Sequence, residues 1–515
     1  MNKIIYKLSL LLVIAFAGCS KDFLEVEPMG KISSDNYLNT DEEVRLALIG
    51  VYDIIQYNYS HGGWSSVFFM KNLPADDCLA AGGGPSDQTE YQNLDDYNFT
   101  SASVKIESIW SNFYKTINAC NTIINNVEAK EDISPAMASM VAEAKTIRAF
   151  TYLDLVSLFG GVPLLTVNPV NTDEYHQPRA SVTAVYAQIE KDLNEAIPVL
   201  SAKSAYSDAD KFRFSKGAAQ AILGKAYLYQ EKYTEAATVL GTLIGTGEFD
   251  LEANFEDVWN ASSEFGVESL FEVSYTSQES YDWGTAQWGG GNENNFEIVL
   301  EGPRDVYFGL GTTSLNLTLG WGFNLPSAEI GDLFVAEGET SRYNGTLISA
   351  TDYIATGGEV YATPFVDHDY EGYMRLKFVS KPTEAGTEGV EWLNYTTNWR
   401  LLRYADVLLM AAEAYNQSGN DAAAQTELFK VRERAGFSDP ISATGTGLFD
   451  LIKKERQIEL AFEGVRYLDL VRWGDASAEL SDLGFTAGKH ELFPIPLNEI
   501  IANNAINETE QNPGY

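Results

Sequence analysis

The stretch LLRYADVLLMAAEAYNQSGNDAAAQTELFKVRERAG, residues 401–436, decides the fold. Ala412 and Tyr415 close one apolar-periodic run, Gly419-Asn420 signal a turn, and Ala424 and Leu428 begin the return run. Small and large residues at these spacings predict two antiparallel helices of tetratricopeptide type, whose small side chains let the backbones approach. The pattern occurs again in AAQAILGKAYLYQEKYTEAATVLGTLI, residues 218–244, at Leu223-Gly224, Tyr227, Ala236 and Leu240. There Gly224 and Ala236 allow the close approach and Tyr227 fills the groove beside them. The copies lie roughly 170 residues apart, which predicts an interrupted array and not a continuous solenoid.

More helices lie upstream. Residues 104–127 carry Ile106, Ile109, Phe113, Ile117, Cys120, Ile124 and Val127 at helical spacing. Residues 136–159 do the same through Ala144, Ile147, Phe150, Leu153 and Val156, until Gly160-Gly161 stop the helix and Pro163 prevents a restart. Ser181 to Leu200 reads as another amphipathic helix, with Val182, Val185, Ile189, Leu193 and Ile197 on one face. Residues 250–400 differ. They are rich in Gly, Asn, Thr and aromatics, and alternation over Glu268–Tyr275 and Gly372–Val379 predicts short strands among loops.

The chain starts MNKIIYKLSLLLVIAFAGC, with Lys3 and Lys7 ahead of an apolar run from Leu8 to Ala17. That run spans roughly 15 Å as a helix, half a bilayer core, so it reads as a secretory signal peptide and not an anchor. Cysteine directly after Ala17-Gly18 is the layout of a bacterial lipobox, with Phe16 where Leu is commoner. Residues 1–18 are therefore expected to be a leader and Cys19 an acylated N-terminus. The plainer alternative is an ordinary signal peptide cut nearby, leaving Cys19 a thiol. One acyl chain binds membranes only marginally, so stable anchoring needs several chains or a second contact.

Formal net charge is -38, and losing Lys3 and Lys7 with the leader takes it to -40. Such a field repels nucleic acid, anionic lipid and acidic polysaccharides, and it points to a neutral ligand or a basic partner. Surface solvation alone also accounts for it. Beyond Cys19, only Cys78 and Cys120 remain, which leaves one bridge or two buried thiols. His61, His176, His368 and His490 lack ligand spacing, and no CxxC, HExxH, GxSxG or Walker loop occurs, so no cofactor is expected. DHDYEG, residues 367–372, resembles the opening of a calcium loop, but Phe378 stands where the bidentate Glu belongs. That leaves a partial structural calcium site or an acidic surface turn.

Several segments resemble the SusD/RagB family of glycan-binding outer-membrane lipoproteins of Bacteroidetes. They are CSKDFLEVEP at the mature start, EAKTIRAFTYLDLVSLFGGVPLL (143–165), NWRLLRYADVLLMAAEAYNQ (398–417), IKKERQIELAFEGVRYLDLVRWG (452–474) and ELFPIPLNEIIANNAINETEQNPGY (491–515). The resemblance implies one mainly α SusD-like domain over 19–515. Within it fall an N-terminal helical part (19–250), a loop-rich variable part (251–400) and the C-terminal motifs (401–515). It also implies four tetratricopeptide-like helix pairs as scaffold, an irregular ligand face opposite them, and a docked C-terminal tail. By the same resemblance the protein would be a non-catalytic, outward-facing outer-membrane lipoprotein that hands oligosaccharides to a SusC-like TonB-dependent porin. Peptide uptake, a protein-binding scaffold and a glycoside hydrolase are the competing readings.

The hydrolase reading would draw on Glu455, Arg456, Glu459, Glu463, Arg466, Asp469 and Arg472, which crowd one amphipathic helix and its continuation. Spacings of three and four instead predict a scaffold ion-pair network. Arg403 and Asp406 read as packing and capping groups. A sugar ring presents a C–H face edged with hydroxyls, which suits exposed aromatic planes rimmed by polar side chains. Loops of that composition hold Trp64 (58–66), Asp77 with Asp76, Asp87 and Gln88 (73–91), and Tyr281, Trp283, Trp288 and Asn292 (280–295). Trp321 is a further candidate between Leu and Phe neighbours. Trp110, Trp259, Trp399 and Trp473 are assigned to the core.

Overall fold

Eight helices pack in an unbroken row. The computed structural model describes residues 37–515 apart from 60–63, 170, 277, 287–292 and 380. Along the row come α1 (Asp41–Tyr59), α2 (Val104–Glu128), α3 (Pro135–Phe159), α4 (Val182–Ala196), α5 (Lys216–Leu228), α6 (Tyr233–Ile244), α7 (Tyr404–Gln417) and α8 (Asp421–Arg434). Each packs on the next. Ser103, Ser134, Ser181 and Ser215 cap α2 to α5, each accepting the backbone N–H three residues on. A cap of this kind contributes about 1 kcal/mol.

The array is interrupted in sequence but not in space. Residues 245–403 leave the row and return, so α6 packs directly on α7. Glycine makes both contacts tight. A Cβ on Gly224 would overlap Leu240, and one on Gly241 would overlap the Tyr415 hydroxyl. The expected solenoid break is absent because this seam is built like the contact inside the α5–α6 pair. The helix expected to reach Leu200 ends at Ala196. Pro198 lacks an N–H to continue the ladder and restricts the residue before it.

After α8 the C-terminal motif forms two helices, α9 (Gly445–Glu459) and α10 (Arg466–Trp473). Left-handed backbone at Phe462 (φ 64°) and Gly464 (φ 71°) breaks the amphipathic run between them. Its charges close a buried network. Arg342 pairs with Glu339, Glu455 and Glu459, Arg403 with Glu268, Glu459 and Glu463, and Arg434 with Glu268 and Glu459. Arg456 bridges Asp406 and Asp469, Arg472 bridges Glu413 and Asp469, and Arg466 reaches Asp76. Burial pushes the Glu459 carboxyl up, but Arg434, Arg403 and Arg342 outweigh it and hold it at about 2.

Among the described residues, the 245–403 excursion contains short helices and three two-stranded antiparallel pairs, and its Phe323–Pro326 strand pairs with Cys78–Ala81 outside it. Ser269–Val273 pairs with Trp399–Arg403 and is buried along its whole length, tying the excursion to the row. Leu347–Ser349 pairs with Tyr373–Arg375. A second, smaller apolar cluster forms there around Tyr307, Phe308, Tyr353, Tyr370 and Met374. Cys78 and Cys120 are buried free thiols. The tail docks through Asn512, whose amide donates to the Phe159 and Phe493 carbonyls. No helix among the described residues is long and apolar enough to cross a membrane.

Candidate ligand-binding platform

Three tryptophans from three separate loops meet in parallel. The Trp64 and Trp321 rings lie 5.3 Å apart at an interplanar angle of 7°, and Trp283 and Trp321 lie 6.4 Å apart at 10°. Parallel rings in contact sit about 3.5–4 Å apart along their normal, so these centroid distances require sideways offsets of roughly 4 and 5 Å. The result is an offset stack, a staircase of three parallel rings. Trp283 is 48% exposed, while Trp64 and Trp321 are partly buried. Buried Phe296 meets both Trp64 and Trp321 edge-on, at 82° and 84°, and fixes their common tilt from below.

Each step is held from its own backbone. The Trp321 loop reads Gly320-Trp321-Gly322, and its three N–H groups donate to the carbonyls of Pro303, Val299 and Gly302. A Cβ on Gly320 would overlap the Val299 carbonyl and Gly302, so only glycine permits this seating. Trp64 has φ 59°, a conformation costly for a bulky side chain. It is paid for by the surroundings: the Trp64 carbonyl accepts from the Tyr91 hydroxyl and from the Lys105 ammonium. Strain of this kind gathers at ligand clamps. The Trp283 turn closes through Asp282 and Thr285, whose hydroxyl takes the Asp282 N–H at 2.7 Å.

Among the described residues, Lys105 and Arg304 touch the platform's backbone, at the carbonyls of Trp64 and Trp321. Burial pulls Lys105 down to about 8, and its ammonium lies 4.0 Å from the Tyr91 ring centroid while donating to Trp64. Arg304 Nη1 donates to the Trp321 carbonyl at 2.9 Å and to Asp87 Oδ2 at 3.0 Å. Arg304 and Phe296 contact the platform at positions that motif reading missed. A signal for Arg304 existed, since it is the single Lys or Arg between Lys232 and Arg342.

Other expected site residues fall elsewhere. Tyr281 is buried, at 4% exposure, and serves as a pin: its N–H donates to Asn394 Oδ1 and its carbonyl accepts from Asn394 and Val390. It anchors the loop that carries Trp283 instead of adding a ring to the face. Asp77 is 1% exposed, and burial together with neighbouring Asp76 pushes its carboxyl up to about 6. It stands at the entry to the Cys78–Ala81 strand, so the polar rim of that loop is Asp87. Trp288, Asn292 and Cys19 lie outside the described residues. Trp110, Trp259 and Trp399 are core residues, whereas Trp473 is partly exposed and donates to Glu413. The DHDYEG carboxylates accept backbone N–H groups, Asp367 from Thr363, Asp369 from Ala81 and Glu371 from Ala328.

The Glu455 and Glu459 carboxylates are committed to the scaffold. Glu455 and Glu459 are 1% and 0% exposed and each is held by arginines.

A helical-repeat scaffold that carries a non-aliphatic, tryptophan-faced loop region is the class of protein this architecture defines. Residues 350–485 match the family model described as SusD family, and residues 22–228 match one described as starch-binding associating with outer membrane. A SusD-like protein, P25, of Formosa agariphila is 26% identical across 100% of this chain and 99% of its own length. Among solved structures, a laminarin binding SusD-like protein is 36% identical with a TM-score of 0.81, over 92% of this chain and 99% of that one. Surface glycan-binding protein A from Bacteroides fluxus is 27% identical with a TM-score of 0.78, over 92% and 100%. The chain belongs to the SusD family.

Proposed function

We propose that this protein captures a neutral glycan, a β-1,3-glucan of the laminarin kind, on the Trp64–Trp321–Trp283 staircase. The bound chain is delivered uncleaved to a SusC-like TonB-dependent porin. The staircase is the observation that carries the reading. Its offsets of several ångströms are on the scale of a sugar ring, so consecutive residues of a chain can each lay a C–H face on one step. The 36% identical neighbour named for laminarin binding supports the choice of glucan. Affinity in the millimolar to micromolar range, about -4 to -8 kcal/mol, suits a ligand that must be released again. Acylation at Cys19 would tether this binding domain to the outer membrane on its outward face, with Ser20–Glu25 as leash.

Retention of the protein in native gels containing laminarin, with starch, mannan, fructan and alginate gels beside it, tests the ligand class. Retardation in laminarin alone is expected, and equal mobility in every gel would overturn the reading. Shortening of laminarihexaose during incubation would instead make the protein an enzyme. Co-purification of a porin with the wild type, lost on Cys19→Ala, tests delivery and placement.

A further inference from the structure

The rim of the platform has a charge arrangement of its own. Arg304 is 26% exposed and Asp87 33% exposed at the side chain, so their ion pair faces solvent beside Trp321. Asp87 Oδ2 is fixed from a second side by the Gly83 N–H at 2.8 Å. Glycine makes the room: a Cβ on Gly83 would press on both Arg304 and Asp87, and one on Gly322 would lie 2.6 Å from Arg304 Cβ. The guanidinium is thus locked in place by Asp87 and by the carbonyl of a platform residue. Of its five N–H donors, those on Nη1 are spent. Those on Nε and Nη2 have no hydrogen-bond partner among the described residues, and Nη2 lies against Gly83 in the solvent-facing pair beside the Trp321 backbone.

We infer that Arg304 is a specificity-determining residue of this site, donating to hydroxyls at the edge of an uncharged sugar ring, and that Asp87 excludes carboxylated or sulfated glycans by cancelling its charge. The inference rests on the glycan-binding reading of the staircase. An unpaired arginine beside aromatic planes would favour anionic substituents through charge-assisted, bidentate contacts. Paired with Asp87, the same fork keeps its donors but offers no net charge. An anion would be desolvated without compensation. The other cation in contact with the platform, Lys105, is 6% exposed and turned to the Trp64 carbonyl, so it offers no substitute.

The test is calorimetric titration of the full mature chain with two probes, laminarihexaose and an oligoglucuronate of equal length. Wild type should bind the neutral probe and not the charged one. Arg304→Gln should weaken the neutral probe about tenfold. Asp87→Asn should hold the neutral probe within about threefold and gain at least tenfold for the uronate. Trp321→Ala should lose the neutral probe in any background. If Trp321→Ala loses binding while Arg304→Gln and Asp87→Asn leave both probes at wild-type affinity, the platform stands and the rim inference falls. If Trp321→Ala binds as wild type does, the platform reading falls and the inference with it. A wild type that prefers the uronate overturns the inference outright.

Discussion

Trp64 and Trp321 lie within 7° of parallel with ring centroids 5.3 Å apart, although their loops are far separated in the chain. Neither loop could hold that geometry alone. Trp321 is seated by a Gly-Trp-Gly turn on the carbonyls of residues 299–303, and Trp64 sits in left-handed backbone clamped by Tyr91 and Lys105. The two meet over a shared Phe296. The relationship is therefore a product of the tertiary fold, and glycan affinity should track it.

A gradient of effect should run along the staircase. Trp321 touches both other rings, so Trp321→Ala should cost at least tenfold in affinity, about 1.4 kcal/mol or more, whereas outermost Trp283→Ala should cost less. Titration with laminarihexaose, with far-ultraviolet dichroism to confirm folding, measures both. Equal losses at the two positions would contradict the central role of Trp321.

Gly224→Val should destabilise the protein. Replacing a helical glycine usually gains up to about 1 kcal/mol, but the added side chain would be driven into Leu240, and overpacking costs typically 1–3 kcal/mol. The clash wins. A lower unfolding midpoint in urea is expected, and an unchanged or higher one would show that α5 and α6 can separate without penalty.

Two groups should each withdraw stability on the acid side. Burial, aided by Lys489, holds His490 down at about 4, so it folds neutral and accepts the Thr486 N–H. Its contribution is complete above the unfolded value of about 6.5 and is lost as pH falls towards 4. Glu459, held at about 2, contributes above its unfolded value of about 4.3, and that share is lost between there and pH 2. Buried Asp77, held up at about 6, works in the opposite sense, so the histidine share is read as the difference in thermal midpoint between wild type and His490→Gln, which should move against the wild type as pH falls from about 7 towards 4. Glu459→Gln should destabilise the fold, by about 1–3 kcal/mol, since it takes one charged acceptor from Arg342, Arg403 and Arg434, each of which keeps another carboxylate.

Cys78 and Cys120 should resist thiol reagents in the native state. Both are buried, and burial pushes each thiol well above its ordinary range, so thiolate is scarce as well as inaccessible. Ellman's reagent should register neither until denaturant is added. Immediate reaction of either would contradict the packing of α2 or of the Cys78–Ala81 strand.

Much of the scaffold was legible in the sequence because helical periodicity is local. The Gly224–Leu240 contact follows from two residues on adjacent helices, and the charges of residues 455–472 fall on turns that must face something ionic. The α6–α7 seam was not legible, since nothing local says that a chain leaving at Gly245 returns to the same edge. The platform divides in the same way. Trp64 and Trp283 stand out as large rings among small and polar residues, whereas Trp321 lies between Leu and Phe neighbours, and the convergence of the three depends on long-range packing. Tyr281 has the same composition around it yet turns inward, because Asn394 captures its backbone. Asp77 beside Asp76 looks like a polar loop and is instead a strand entry, at the end of a run, residues 72–78, that is buried throughout.

The central claim is that the tryptophan staircase binds a neutral glucan, and calorimetric titration of laminarihexaose into wild type and into the Trp64→Ala/Trp321→Ala double variant tests it most directly. Micromolar to millimolar binding by the wild type and none by a folded double variant is the predicted result. Undiminished binding by the double variant would contradict it.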